Sequence, residues 1–284
     1  MAIQNGFIQI IQDEKRDYQY EEAMKTLRTN IQFSGNGLKV IMLTSAMPDE
    51  GKSETSFQLA ISMAQTEGRV LFIDADIRKS VLVSRFGGGQ QIYGLTQYLT
   101  GQRPLGEVLY HTNLPNLDII FSGPMAPNPA ELLSEDAFSK LIAWARNEYD
   151  TIIIDTPPLG SVIDGAIIAQ RCDGAILLVE SGALSYRLVQ KAKRQLERTG
   201  CRILGAVLNR VDMAGSGYYH RCYVSSGCVL INKNEPRKFN VSGVLLCVFF
   251  KKVFVGLSRF LIVICVQYAR NIHARYNSFC IIYA

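Results

Sequence analysis

The sequence of 284 residues lacks any stretch of about 20 uninterrupted apolar residues, the length a helix needs to cross a bilayer. Two apolar runs, Val241 to Phe250 and Val253 to Val266, are separated by Lys251-Lys252, and the second carries Arg259, so no spanning helix is expected. The opening residues, MAIQNGFIQIIQDEKRDYQYEE, bring acids early and contain no apolar run ending in a small-residue cleavage site. No secretory signal is therefore expected, and the amino-terminal part is expected to stay in the cytosol. Seven cysteines are an odd number, and none has the close paired spacing of a zinc site, so neither a disulfide framework nor a metal cluster is expected. Reduced thiols are the plain reading, and there is no internal repeat.

Excess positive charge is missing from most of the chain, although the whole carries +5. From Cys222 to Ala284 there are eight Lys or Arg against the single acid Glu235, which gives +7; Arg221 adds one more, and Met1 to His220 sum to −3. A nucleic-acid-binding domain would carry its basic face on the folded unit, so no nucleic-acid partner is expected.

What is present is a long alternation of short apolar, β-branched runs with amphipathic stretches, the pattern of parallel strands joined by crossover helices. The runs predict strands at Lys39 to Thr44, Arg69 to Asp74, Leu117 to Phe121, Thr151 to Asp155, Gly174 to Val179 and Arg202 to Leu208. Helices are predicted at Lys52 to Gln65, Ala130 to Asn147, Ser161 to Arg171 and Ser185 to Thr199, and one more, Tyr20 to Gln32, precedes the first strand. The strands are too apolar for a one-sided sheet. The fold class is therefore α/β: a doubly wound, mostly parallel sheet in a three-layer α/β/α arrangement. The domain layout is 1–37, a helical segment and candidate for oligomerisation; 38–213, the main domain; and 214–284, a tyrosine-bearing tail with an atypical basic and apolar extension.

Three strand ends carry chemistry. The first runs from Val40 through Thr44-Ser45-Ala46-Met47-Pro48-Asp49-Glu50-Gly51-Lys52-Ser53, a strand followed by a P-loop with Ala46 at the usual first glycine. Successive N–H groups at a helix start can cradle phosphates, Lys52 can reach the β/γ oxygens and Ser53 can bind Mg²⁺. The second strand ends Asp74-Ala75-Asp76-Ile77-Arg78, where period two points both carboxylates to one side. Two acids there repel unless a cation or a substrate proton joins them, and ligands of open α/β sheets bind at this edge. The third ends Asp155-Thr156-Pro157-Pro158, which fits an acid holding Mg²⁺ through water or Ser53. A chance Gly-Lys-Ser turn and capping aspartates are the plainer alternatives for each part. A phosphate cradle, cation ligands and a base together are the set that phosphoryl transfer needs.

These segments resemble the Walker A, A′ and B motifs of the bacterial tyrosine kinases of capsule and exopolysaccharide synthesis. Further matches are Leu27-Arg28-Thr29-Asn30, Gly123-Pro124, Pro127 to Leu133, Asp164-Gly165-Ala166 and Gly205 to Arg210, and the resemblance spans Tyr20 to Tyr219. It implies a P-loop NTPase-like fold and an ATP- and Mg²⁺-dependent protein-tyrosine kinase. Lys52 would then grip phosphates, with Ser53, Asp76 and Asp155 organising Mg²⁺, Asp74 as base toward a tyrosine hydroxyl, and Asn209 and Arg210 bordering the adenine. A carboxylate base suits a hydroxyl that starts near a pKa of ~10 and must lose its proton as the phosphoryl arrives. The resemblance also implies autophosphorylation of tail tyrosines, for which Tyr218, Tyr219 and Tyr223 are the candidates. The partners it implies are a membrane adaptor of the polysaccharide co-polymerase type, protein tyrosine substrates and a ring-like homo-oligomer, with the kinase recruited to the inner face of the membrane. Glu22, Lys25 and Arg28 match the family's Glu-x-x-Arg-x-x-Arg oligomerisation motif except that Lys25 replaces the middle Arg and loses its planar fork. A solvated helical charge face is the alternative there.

Two rival functions are a partition or cell-division ATPase of the same P-loop class and a non-catalytic nucleotide-dependent scaffold of the polysaccharide machinery. Met47 stands where such ATPases usually carry a signature lysine, and intact Lys52, Asp74, Asp76 and Asp155 favour catalysis. From Cys222 onward the resemblance stops. That extension reads as a segment lying on an anionic membrane surface or as the product of a shifted reading frame, and the abrupt change of composition favours the second.

Overall fold

The structure is a computed structural model, and it describes residues 6–10, 18–35, 37–66, 68–83, 91–211, 228–229 and 244–248. Tyr218, Tyr219 and Tyr223 lie outside these residues, as does most of the basic extension.

Six parallel strands form the centre: β2 (Val40–Ser45), β3 (Val70–Asp74), β5 (Leu117–Ile120), β6 (Thr151–Asp155), β7 (Gly174–Glu180) and β8 (Ile203–Asn209), in the spatial order β5-β3-β6-β2-β7-β8. Each lies within a residue or so of its sequence-predicted span. Side chains alternate between two cores, as period two requires. Val40, Met42, Leu71, Ile73, Ile152 and Ile154 enter one core; Ile41, Leu43, Phe72, Ile119, Ile153 and Ile176 enter the other. Two-sided burial is why these strands read as continuous apolar runs rather than alternating ones.

Helices α1 (Tyr18–Phe33) and α2 (Lys52–Ala64) pack together over the second core. Tyr20, Ala23, Met24, Leu27 and Ile31 of α1 are all buried, a spacing of three and four that places one stripe against the domain. Over the first core lie α3 (Leu95–Leu99), α5 (Pro129–Ser134), α6 (Asp136–Glu148), α7 (Asp164–Ala169) and α8 (Tyr186–Arg198). The single helix predicted from Ala130 to Asn147 is two, because Glu135 is extended (φ −68°, ψ 162°) and starts α6 afresh. The helix predicted from Ser161 shortens to α7, since the chain leaving Pro157-Pro158 first forms a turn closed by Ser161 N donating to Pro158 O.

Short elements extend the sheet at both ends. After α4 (Leu105–Val108), β4 (Leu109–Thr112) pairs antiparallel with β5, and β1 (Phe7–Ile8) pairs parallel with β4. On the far side β10 (Val244–Val248) runs antiparallel to β8, and β9 (Cys228–Val229) antiparallel to β10. None of these was indicated by the sequence pattern: at two to five residues they are too short to show a period. Among the described residues no helix is long and apolar enough to cross a membrane.

Candidate active site

Because β6 lies between β3 and β2, the ends of all three strands meet at one edge, and Asp74 is the direct register partner of Asp155. From Ser45 the chain turns through Ala46 to Ser53 and enters α2 at Lys52. Met47, Pro48 and Asp49 form the exposed tip, and the chain then doubles back through left-handed φ at Asp49 (63°) and Gly51 (83°). A Cβ at position 51 would stand 2.2 Å from Asn209 Nδ2, so this place takes only glycine.

The loop is held from three sides. Ser45 Oγ donates to Met47 O (2.8 Å), and the buried Glu50 carboxylate accepts Met47 N–H (2.7 Å) and, across the loop, Glu180 N–H at the end of β7 (2.9 Å). Asn209 Nδ2 at the end of β8 donates to Glu50 O (2.7 Å), and Gly160 N donates to Ala46 O (3.0 Å). Burial pushes the Glu50 carboxyl above its usual range, and the backbone donors pull the other way. Asn209 and Arg210, expected at the adenine border, are here tied to the loop and its support. The Asn209 amide is spent on Glu50 O, and Arg210, itself at φ 59°, pairs with Glu180 at 2.9 Å.

Beneath the loop, Lys52 Nζ contacts Asp155 Oδ1 at 2.7 Å and Ser53 Oγ at 3.2 Å. Lys52 and Asp155 are both buried, and Asp155 Oδ2 has no hydrogen-bond partner. Asp74 Oδ2 accepts Ser80 Oγ (2.5 Å) and Oδ1 accepts Asp76 N (3.2 Å). Its carboxyl is pushed up to about 7, first by burial and then by the neighbouring Asp155 charge, with Ser80 and Lys52 opposing. Asp76 Oδ1 accepts Arg78 N and Lys79 N, and burial raises its carboxyl too. Arg78 forks onto the fully buried Asp164 at 2.6 and 3.0 Å.

Among the described residues no three carboxylate, histidine or thiol groups converge into a metal cluster by themselves. Mg²⁺ does not need one, because it keeps waters and takes one or two carboxylates together with substrate phosphates. A buried carboxylate oxygen with no donor, next to a serine hydroxyl and two further acids, fits that demand. Lys52 at present neutralises one side of it.

The structure separates the other predicted residues from this edge. Lys25 pairs with Glu22 at 2.8 Å on the outer side of α1, whereas Arg28 Nη1 donates to Ser62 O in the last turn of α2 (2.5 Å). That point is ten positions along the helix from Lys52, about 15 Å away. A cavity of about 160 Å³ opens at the opposite edge of the sheet, between Ile31, Leu38, Met63, Gly68, Val70 and Asp150, and includes none of the predicted site residues.

Residues 38–198 match the family model of an AAA domain. The tyrosine-protein kinase CpsD of Streptococcus agalactiae serotype III is 46% identical over 198 residues, covering 70% of this chain and 85% of that protein. The solved kinase domain of Escherichia coli tyrosine kinase ETK is 30% identical with a TM-score of 0.66, covering 75% of this chain and 92% of that one. This chain belongs to the bacterial tyrosine-protein kinases. The septum site-determining protein MinD of Pyrococcus horikoshii, solved with Mg-ADP, shares the kinase's P-loop fold at 22% identity and a TM-score of 0.51, over 63% of this chain and 72% of that one.

Sequence reasoning missed three residues of the candidate site. Asp164 belonged to a matching motif without a role, and its full burial beneath Arg78 gives it one. Glu180, the last residue of β7, could have been found as an acid ending a strand, like Asp74 and Asp155. Ser80 carries no signal in spacing or composition, being one serine in a turn.

Proposed function

We propose that this tyrosine kinase phosphorylates tyrosines of its own carboxyl-terminal region and of other proteins, and acts in the control of capsule or exopolysaccharide synthesis. In this reading the amides from Ala46 to Gly51 and the Lys52 ammonium receive the ATP phosphates, Asp74 accepts the tyrosine proton, and Asn209 and Arg210 border the adenine while holding the loop. Ser53, Asp76 and Asp155 would hold Mg²⁺, which when bound supplies positive charge to the phosphate oxygens. The reading also includes a membrane adaptor of the polysaccharide co-polymerase type and a ring-like assembly through α1. Glu22 and Lys25 remain on the outer side of that helix and support it.

The observation that carries the proposal is the buried Lys52–Asp155 pair at 2.7 Å, with Asp155 Oδ2 lacking a donor and Asp74 beside it in register. Two acids and one lysine under a phosphate-binding loop form a charge set that a nucleotide with its cation completes. Most of the acceleration then comes from alignment and electrostatics, since a loose phosphoryl-transfer transition state leaves the protein little covalent chemistry.

The test is ATP-dependent appearance of phosphotyrosine in the purified full chain with Mg²⁺ and an adaptor fragment, for the wild type, Lys52→Met and Asp74→Asn. Wild-type signal, none in Lys52→Met and only a small residual rate in Asp74→Asn is the expected outcome. Lys52→Met removes one partner of a buried ion pair, which costs about 3–5 kcal/mol, so its melting temperature falls as well. Asp74→Asn removes no ion pair and serves as the impaired variant that stays folded. Phosphotyrosine persisting in both variants refutes the assignment.

A further inference from the structure

We propose that Ser80 is a positioning residue for phosphotransfer, its hydroxyl fixing the direction in which the Asp74 carboxylate is presented; this rests on the reading of Asp74 as the base. A carboxylate is effective as a base only when a lone pair faces the hydroxyl it deprotonates, and a displacement of about 1 Å costs up to about 100-fold in rate. Asp74 sits on the last residue of β3, where χ rotation is limited by burial alone unless its oxygens are tied. Both are tied: Oδ1 accepts the Asp76 N–H at 3.2 Å, and Oδ2 accepts the Ser80 hydroxyl at 2.5 Å.

The direction of the serine proton follows from the role of Asp74. Leu82 N–H donates to Ser80 Oγ at 3.2 Å and fills one acceptor position, and with Asp74 ionised, as a base must be, the single hydroxyl proton points at its Oδ2. To the ionised carboxylate this is a charge-assisted hydrogen bond, the stronger kind.

The loop carrying Ser80 is itself anchored on both sides of the sheet. Ile77 is buried in one core and Leu82 in the other, so residues 75–82 cross the end of β3. Between these anchors Asp76 closes a turn onto the Arg78 and Lys79 amides, and Arg78 is forked onto buried Asp164. Ser80 is therefore delivered over Asp74 by a braced loop, and remains half-buried at its outer side. A serine serving only to cap the Leu82 turn would not need its proton aimed at a carboxylate six residues earlier.

The experiment measures kcat, KM for ATP and melting temperature with the full chain, Mg²⁺ and adaptor fragment, for Ser80→Ala, Ser80→Thr, Asp74→Asn and the Ser80→Ala/Asp74→Asn pair. Expected are a fall in kcat of about 10- to 100-fold for Ser80→Ala with KM for ATP within about 2-fold, and recovery to within about 3-fold in Ser80→Thr, which keeps the hydroxyl. Adding Ser80→Ala to Asp74→Asn should change nothing further, because there is no longer a base to orient. Wild-type kcat in Ser80→Ala while Asp74→Asn is impaired overturns the role of Ser80 and leaves that of Asp74 standing. A loss that multiplies with Asp74→Asn, or that appears equally in KM and melting temperature, also overturns it. Retained kcat in Asp74→Asn itself overturns the underlying reading.

Discussion

Asp74 carries opposite demands. Burial, and after it the register partner Asp155, hold its carboxyl at about 7, against an ordinary 3.8, so below neutral pH it is held protonated in the nucleotide-free protein. A carboxyl raised on folding contributes stability that is fully present below its ordinary value and is lost as pH rises through about 7. The nucleotide-free kinase should therefore lose stability between about pH 4 and 7 on account of this residue. Asp74→Asn cannot ionise, so its melting temperature should exceed that of the wild type at pH 8, by several degrees at roughly 2–4 °C per kcal/mol, and the gap should close toward pH 4. Thermal melts at the two ends of that range decide it, and an equal gap at both would contradict the linkage. Asp74, Asp76 and Asp155 were legible in the sequence because each lies at or beside the end of an apolar strand, and Lys52 because it follows the glycine of a P-loop pattern at a helix start. The state of Lys52 was not legible: spacing aims it at phosphates, while the folded chain pairs it with Asp155, so removing it is also a loss to the fold.

At the scale of elements, the P-loop is shaped by groups on strands far away in sequence. Glu50 ties it to β7, Asn209 to β8, and Gly160 to the turn after β6. Such long-range supports leave no trace in local spacing, which is why Asn209 was read as an adenine neighbour alone. The two roles separate experimentally. Asn209→Ala leaves Glu50 O without its donor, and loss of a buried hydrogen bond costs about 1–3 kcal/mol. If the amide holds the loop, inorganic tripolyphosphate and ATP should both bind about 10-fold more weakly by calorimetry; if it serves only the adenine, tripolyphosphate affinity should stay at the wild-type value. The six central strands were placed almost to the residue, since long apolar runs bounded by turn residues are the strongest local signal. Helix ends were less legible. The break at Glu135 depends on one extended residue inside a sequence that otherwise favours helix, and α3, α4 and β4 span five residues or fewer.

Across the whole molecule, two cores on either side of one sheet place every group proposed for phosphate, cation or base at a single edge. Helix α1, which the sequence set apart as a segment of its own, is part of the second core through Met24, Leu27 and Ile31. Any ring assembly through Glu22 and Lys25 would adjoin α2, whose first residue is Lys52, since α1 and α2 share the second core and Arg28 donates to Ser62 O. The central claim is that the buried Lys52–Asp155 pair is the resting form of a Mg²⁺-ATP site. The measurement that tests it most directly is a crystal structure of the full chain with Mg²⁺ and a non-hydrolysable ATP analogue. The account predicts Lys52 Nζ on the terminal phosphates, Asp155 Oδ2 facing the cation or its water, and Asp74 left tied to Ser80. Nucleotide bound elsewhere, with Lys52 still on Asp155, would contradict it.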